Sequence, residues 1–80
     1  MSLRDPQYRA AIDLLSAARR RSGVTQAQLA DSLGKPQSFV SKFERFERRL
    51  DIAEYVRIAN AVGLDPDEGC RALRWTGSAQ

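Results

Sequence analysis

The side chains of this 80-residue chain that could carry chemistry are amides, hydroxyls, carboxylates and basic groups, with no histidine among them. A histidine general base and a histidine-ligated metal are therefore excluded. The single cysteine, Cys70, can form neither an intrachain disulfide nor a cysteine zinc cluster. The chain also lacks a glycine-rich loop for phosphate groups and any cluster of acids typical of a catalytic pocket. These observations argue against an enzyme and against a bound metal, cofactor or small-molecule ligand.

Hydrogen-bonding side chains are concentrated in the segment Gln26 to Glu44, which reads Q-A-Q-L-A-D-S-L-G-K-P-Q-S-F-V-S-K-F-E. Four of them share the outward face of a predicted helix: Gln37, Ser38, Ser41 and Lys42. Glutamine can bond the N6 and N7 atoms of adenine, lysine can donate to guanine, and serine can bond either base. Polar residues on an exposed helix face are usually only solvated, and the pattern alone favours that interpretation.

Five short helices are predicted to position these side chains, because glycine and proline separate segments whose apolar residues recur every 3.6 positions. The predicted boundaries are Pro6, Gly23, Thr25, Gly34, Pro36, Asp51, Gly63 and Pro66. The fourth helix is expected to bury Ile52, Tyr55, Val56, Ala59 and Val62, and the fifth Cys70, Leu73 and Trp75. The sequence thus predicts an all-α fold, a compact five-helix domain over residues 1–80 with a frayed tail at 76–80.

The two helices on either side of Gly34 meet the requirements of a tight turn between packed helices. Ala30 allows the backbones to approach closely, and Gly34 tolerates the positive φ that such a turn needs. Apolar side chains face inward from both helices: Leu29, Leu33, Val40 and Phe43. These residues have the spacing of a DNA-binding helix-turn-helix.

The charge of the chain is unevenly distributed. Residues 1–50 contain ten Lys and Arg against five Asp and Glu, whereas residues 51–80 contain three against five. A basic half joined to an acidic half suggests a polyanionic partner for the first, although an unevenly charged solvated surface explains the numbers equally well. No apolar run approaches the ~20 residues that cross a bilayer, and the N-terminus lacks the apolar stretch of a signal peptide. We therefore expect no membrane association and a cytoplasmic location.

Residues 25–44 resemble the Cro/cI-type helix-turn-helix of phage repressors, the xenobiotic-response-element (XRE) family of regulators. T-Q-A-Q-L-A-D-S-L-G matches the second helix of that family, and Q-S-F-V-S-K-F-E matches its recognition helix. The resemblance continues through R-R-L-D and I-A-N-A-V-G-L-D and covers the chain from about Ile12 to Leu73. It implies a prokaryotic, nucleoid-associated transcriptional regulator, which binds double-stranded DNA with a recognition helix at about residues 36–45 in the major groove.

The resemblance also implies roles for individual residues. It assigns base contacts to Gln37, Ser38, Ser41 and Lys42. It places Thr25 and Gln26 at the DNA backbone, with Gln26 also bracing Gln37. Arg19 and Glu44 stand where many members of the family have an ion pair between the first helix and the end of the recognition helix. Lys35, Arg45, Arg48 and Arg49 flank the recognition helix and are candidate phosphate contacts, unless Glu44 or Glu47 pairs with some of them.

The expected assembly is a homodimer on a palindromic operator, because a single small domain buries little surface on DNA. The expected role is that of a repressor. Cys70, Leu73 and Trp75 are candidate dimer contacts, and closure of the core by the fifth helix is the alternative role for them. An antitoxin or another protein-interaction module with the same fold is the competing function. Antitoxins of this family generally still bind DNA, so the two roles can coexist, and an absence of salt-sensitive binding to duplex DNA would favour the interaction module.

Phe46 departs from the family pattern, in which glycine follows the recognition helix as Glu-x-Gly. Phenylalanine is sterically disfavoured at positive φ. The sequence therefore predicts either a recognition helix that runs on past Glu44 or a phenylalanine tucked against the core. We expect the second, because Asp51 caps a new helix and the apolar stripe changes phase there.

Overall fold

In the computed structural model, the described residues, 3–72, form five α-helices and no strand. The helices are α1 Pro6–Arg21, α2 Gln26–Leu33, α3 Gln37–Glu44, α4 Ile52–Val62 and α5 Pro66–Ala72. The all-α, five-helix architecture predicted from the sequence is confirmed. Leu73, Trp75 and the expected tail at 76–80 lie outside the described residues. Within the described part of the chain, no helix is both long and apolar enough to cross a membrane.

Local hydrogen bonds fix the starts of α2 and α4. The Thr25 hydroxyl accepts from the Gln28 amide at 3.0 Å, and the Gln28 side chain accepts from the Thr25 amide at 2.9 Å. Asp51 and Glu54 form the same reciprocal pair, at 2.7 and 3.0 Å. Because such caps satisfy amides that have no partner within the helix, each contributes about 1 kcal/mol.

The core lies where α1, α2, α3 and α4 meet. Its largest fully buried side chains are Phe43, Ile12, Leu15, Leu29, Ile58 and Val40. Since these six come from all four helices, burial of their apolar surface holds the α2–α3 pair against α1 and α4.

The prediction for the buried face of α4 was wrong at two positions. Ile52 is 71% exposed and Val56 is 37% exposed. The face that packs against the core instead carries Tyr55, Ile58, Ala59 and Val62. Helix α4 has more apolar residues than one face can hold, so periodicity could not show which of them the core would take.

The prediction for α5 also needs correction, because Cys70 is exposed and its neighbour Gly69 is buried. The Tyr55 hydroxyl donates to the Pro66 carbonyl and lies against Gly69. A Cβ atom at Gly69 would collide with that hydroxyl. The close approach of α5 to Tyr55 therefore depends on a glycine.

Phe46 adopts the left-handed conformation that glycine has in the family pattern, with φ 61°. Helix α3 ends at Glu44 and does not run on. The Phe46 ring is half-buried against the core, and the Arg9 guanidinium carbon lies 4.5 Å from the ring centroid. These contacts offset a steric cost of about 1–2 kcal/mol for a left-handed residue with a Cβ atom. The tucked position expected for Phe46 is the one observed.

Two substitutions at Phe46 separate the packing of the ring from the strain of the backbone. Both Phe46→Ala and Phe46→Gly remove the ring, and we expect both to lower the melting temperature. Only glycine relieves the left-handed strain, so Phe46→Gly should be more stable than Phe46→Ala by about 1 kcal/mol. Thermal and urea unfolding measure this order. If Phe46→Gly were more stable than the wild type, strain would outweigh packing and our account of the ring would be wrong.

Candidate nucleic-acid interface

A turn of three residues joins α2 to α3. Gly34 adopts a left-handed conformation with φ 68°, and the amide of Lys35 donates to the carbonyl of Ala30 at 2.9 Å. Pro36 follows in an extended conformation and precedes the first residue of α3, Gln37. Because Ala30 is buried and small, the two helices pack closely, as the sequence predicts for a helix-turn-helix.

Helix α3 has one face in the core and one in solvent. Phe39, Val40 and Phe43 are buried, and the rings of Phe39 and Phe43 meet edge to face with centroids 5.8 Å apart. The residues expected to contact bases lie elsewhere on the helix: Gln37, Ser38 and Lys42 are exposed, and Ser41 is half-buried. The Ser41 hydroxyl donates to the carbonyl of Ser38 at 3.3 Å. Packing of the aromatic face thus fixes the direction in which the polar face points.

Arg19, Gln26 and Glu44 form a hydrogen-bonded group, which we term the Glu44 cluster. Arg19 donates from Nε to Glu44 Oε2 at 2.7 Å and from Nη2 to Oε1 at 3.0 Å. Gln26 Nε2 donates to the same Oε1 at 3.0 Å, and Arg19 Nη1 donates to the Val24 carbonyl at 2.9 Å. The Glu44 cluster therefore joins the last turn of α1, the first residue of α2 and the last residue of α3.

The Glu44 carboxylate is ionised although it is nearly inaccessible. The Arg19 and Glu44 side chains are only 11% and 7% exposed. Burial on its own would raise the pKa of Glu44, but the hydrogen bonds from Arg19 and Gln26 outweigh it and the net result is a lowered pKa. Gln26 contacts Glu44 here, whereas we expected it to brace Gln37. Its amide thus helps to hold the end of α3 rather than its beginning.

Exposed basic side chains surround α3, among them Lys35, Arg45 and Arg49. Arg45 pairs with Glu47 at 3.1 Å, and both side chains are more than half exposed, at 59% and 54%. A surface pair of this kind is worth between nothing and about 1 kcal/mol. It therefore gives little opposition to a phosphate that competes for Arg45.

Arg48, the fourth predicted phosphate contact, is paired with a carboxylate of the same chain, although its side chain is 41% exposed. Its Nη1 and Nη2 atoms donate to the two carboxylate oxygens of Glu54, both at 3.0 Å. Its guanidinium carbon lies 4.7 Å from the centroid of the Phe39 ring. Hydrogen bonds from Arg48 are the largest cause of the lowered pKa of Glu54. Arg48 thus fastens the loop at 45–51 to α4, and Glu54 neutralises its charge.

Sequence reasoning did not identify Glu54 as part of this region. Arg48 and Glu54 are six residues apart, which matches no helix or strand spacing. The available signal was the Asp51-x-x-Glu54 capping pattern, which places the Glu54 carboxylate back toward the residues that precede α4. Within residues 3–72, no group of three His, Cys, Asp or Glu side chains is arranged to hold a metal ion.

The comparisons with known proteins agree with this geometry. The model of a helix-turn-helix family, HTH_3, matches residues 15–69. A solved structure described as an XRE-family like protein from Pseudomonas syringae pv. tomato str. DC3000 is 48% identical, with a TM-score of 0.77, and the match covers 84% of this chain and 82% of that one. A search of curated proteins finds no match. The chain belongs to the XRE, or Cro/cI-type, helix-turn-helix family of DNA-binding transcription regulators.

Proposed function

We propose that the protein is a repressor that binds a palindromic operator as a homodimer, with the recognition helix, about residues 36–45, in the major groove. The observation that carries this proposal is the exposed polar face of α3, whose opposite face is buried and whose last residue is held by the Glu44 cluster. Occupancy of an operator by such a protein would block polymerase. Two-fold pairing doubles the contacts that one small domain makes and matches the symmetry of a palindrome.

Base recognition belongs to Gln37, Ser38, Ser41 and Lys42 in this proposal. Gln37 is the first residue of α3, the end of a recognition helix that contacts base edges. Within the described part of the chain, the Gln37 and Lys42 side chains make no intramolecular hydrogen bond, so their donors and acceptors remain available to bases. Because the amide of glutamine can bond adenine through two atoms, Gln37 is the strongest candidate for a base-specific contact.

Contacts with the DNA backbone come from two sources. The N-terminus of α2, with Thr25 and Gln26, presents amide donors and the positive end of a helix dipole to a phosphate. Lys35, Arg45 and Arg49 supply exposed positive charge on either side of α3. Arg48 is a weaker member of this set, since its charge is already neutralised by Glu54.

The salt dependence of DNA binding tests the proposed backbone contacts. Replacing Arg45 and Arg49 together with alanine should reduce the slope of log affinity against log salt by up to ~2 units, without changing the preferred sequence. Arg48→Ala should change that slope less, because Glu54 already neutralises this guanidinium. Fluorescence anisotropy with a labelled duplex, measured across a salt series, gives both slopes.

The competing function is that of an antitoxin or another interaction module. If wild-type protein showed no salt-sensitive binding to any duplex, the repressor proposal would fail and the interaction module would be favoured. If Arg45→Ala/Arg49→Ala kept the wild-type slope while the wild type bound DNA, these arginines would be solvated surface. The proposed dimer contacts Leu73 and Trp75 lie outside the described residues, and Cys70 is exposed.

A further inference from the structure

The start of α3 is anchored differently from the starts of α2 and α4. Thr25 and Asp51 cap α2 and α4 through side-chain oxygens, whereas α3 begins after Pro36, which has no side-chain oxygen that could accept from a helix amide. The Glu44 cluster holds the other end of α3. Because Gln37 is the first residue of α3, the tertiary contacts of the first turn determine where its side chain points.

Phe39 holds this first turn against the core. Its side chain is 8% exposed, and its ring meets the Phe43 ring edge to face. The Phe39 ring also borders a small open hollow where α2, α3 and α4 meet, so apolar packing does not enclose it completely. Two cations lie over the ring: the Arg48 guanidinium carbon is 4.7 Å from its centroid, and the Lys35 ammonium nitrogen is 5.5 Å away. Such contacts between a cation and an aromatic face are attractive, so they help to keep the ring in place.

Arg48 is itself held over the Phe39 ring by α4. Its Nη1 and Nη2 atoms donate to the two carboxylate oxygens of Glu54, and Nη1 also donates to the Arg49 carbonyl at 2.8 Å. Glu54 is fixed in turn, because its Oε1 accepts from the Asp51 amide at 3.0 Å and its side chain is 12% exposed. We term Phe39, Arg48 and Glu54 the Arg48 clamp. One guanidinium thereby connects the first turn of α3 to the first turn of α4.

We infer that the Arg48 clamp orients the start of the recognition helix, and that Arg48 is a positioning residue for base recognition. The inference rests on the proposed function and identifies a residue on which the sequence preference depends. A planar guanidinium can stack on a ring and bind both oxygens of a carboxylate at the same time, which the compact ammonium of lysine cannot do. The Arg48 clamp therefore requires arginine, whereas attraction for a phosphate requires only a positive charge.

The ion pair between Arg45 and Glu47 provides a comparison within the same region. Arg45 Nη2 lies 3.1 Å from Glu47 Oε1, and both side chains are more than half exposed. This pair is only two residues apart and does not connect α3 to another helix. Removal of the Glu47 charge should leave α3 in place, which makes Glu47→Gln the matched control for Glu54→Gln.

Binding to two duplexes tests the inference: the sequence that the wild type enriches from a random pool, and a random duplex. Arg48→Lys keeps the positive charge but loses the planar guanidinium. It should lower the ratio of the two affinities by about tenfold, the lower end of what one base contact contributes. The slope of log affinity against log salt should keep its wild-type value, because no charge is removed. All variants are compared at a temperature at which each is folded by circular dichroism.

Substitution of Glu54 tests whether this carboxylate acts through Arg48. Glu54→Gln retains the capping pattern of α4, since Gln28 fills the same position in α2, but it removes the charge that holds the guanidinium. It should lower the affinity ratio as Arg48→Lys does, and the double variant should lose no more than Arg48→Lys alone, because both changes break the same contact. Glu47→Gln should keep the wild-type ratio.

Hydrogen exchange tests the Arg48 clamp without DNA. The amides of α3 should exchange faster in Arg48→Lys and in Glu54→Gln than in the wild type, because the first turn of α3 opens more often. The amides of α1 should be affected less, and Glu47→Gln should match the wild type in both helices.

Two results would overturn the inference. The first is an affinity ratio that Arg48→Lys leaves at the wild-type value, whatever its effect on stability. The second is an equal loss on both duplexes for Arg48→Ala with a salt slope reduced by about 1, which is the pattern of a phosphate contact. A wild type that enriches no sequence would instead overturn the proposed function, and hydrogen exchange would still decide whether the Arg48 clamp holds α3.

Discussion

Replacing Glu44 with alanine should lower the free energy of unfolding by about 3–5 kcal/mol, the range for breaking a buried ion pair. The substitution leaves the Arg19 guanidinium, whose side chain is 11% exposed, without its carboxylate, and it leaves the Gln26 amide without its acceptor. An uncompensated buried charge is costly because little water can reach it. Since a small domain has only about 5–15 kcal/mol of stability, this variant should be close to unfolding at 37 °C. Urea denaturation followed by circular dichroism measures the loss.

Two further variants keep this prediction interpretable. Glu47→Ala removes an exposed carboxylate from the same part of the chain and should change stability by no more than about 0.5 kcal/mol. Glu44→Gln retains the shape of the side chain and one oxygen that can accept from Gln26, so it should fold and lose less than Glu44→Ala. Equal losses for Glu44→Ala and Glu47→Ala would show that the Glu44 cluster contributes nothing beyond an ordinary surface pair.

The pH dependence of stability gives an independent check on the Glu44 cluster. The folded protein lowers the pKa of Glu44 below its usual value of 4.5, so the unfolded chain takes up the proton first. The resulting stabilisation is fully present above pH 4.5 and is lost as the pH falls through the lowered pKa. The difference in unfolding free energy between the wild type and Glu44→Gln should therefore be constant near neutrality and shrink in acid. A difference that grew in acid would contradict this account.

Replacing Gln37 with alanine should weaken binding to the best operator by about 1–3 kcal/mol, or roughly tenfold to 150-fold. The preference for one base pair in each half-site should be relaxed at the same time. Binding to random duplex DNA should hardly change, because the role proposed for the amide of Gln37 is base recognition and not attraction for phosphates. We expect this loss of base preference because Gln37 is exposed and is the first residue of α3.

Arg45→Ala is the control for Gln37→Ala. It removes a proposed phosphate contact and should weaken binding to specific and random duplexes by similar factors. Competition binding against a set of operators with single base-pair changes distinguishes the two patterns. If Gln37→Ala weakened both kinds of duplex equally, Gln37 would be a backbone contact and the base-reading role would pass to its neighbours on α3.

Local sequence was enough to predict most of the helix boundaries. Thr25 and Asp51 cap their helices as predicted, and Gly34 and Gly63 end theirs in the left-handed conformation. Each of these boundaries depends on side chains and backbone within a few residues, so chemistry along the chain decides it. The polar face of α3 could also be predicted, because the buried residues of this helix recur with a helical period.

Features that depend on which helices meet could not be predicted from local sequence. Ile52 and Val56 were assigned to the core because they are apolar, but α4 offers the core a different face. The partnership of Arg48 with Glu54 required knowledge of how the loop at 45–51 folds back. For Phe46 the tucked ring was predicted but the left-handed backbone was not, because packing of the ring outweighs the steric cost of a positive φ.

Selection of bound sequences from a random duplex pool, followed by footprinting of the enriched sequence, tests the central claim most directly. We predict one enriched palindrome, protected on one face of the duplex in two half-sites centred about one turn, ~34 Å, apart. Binding to it should be at least about 10³-fold tighter than binding to random DNA at the same salt concentration. A pool that yields no common sequence, with equal affinity for every duplex, would contradict the claim that α3 reads DNA sequence.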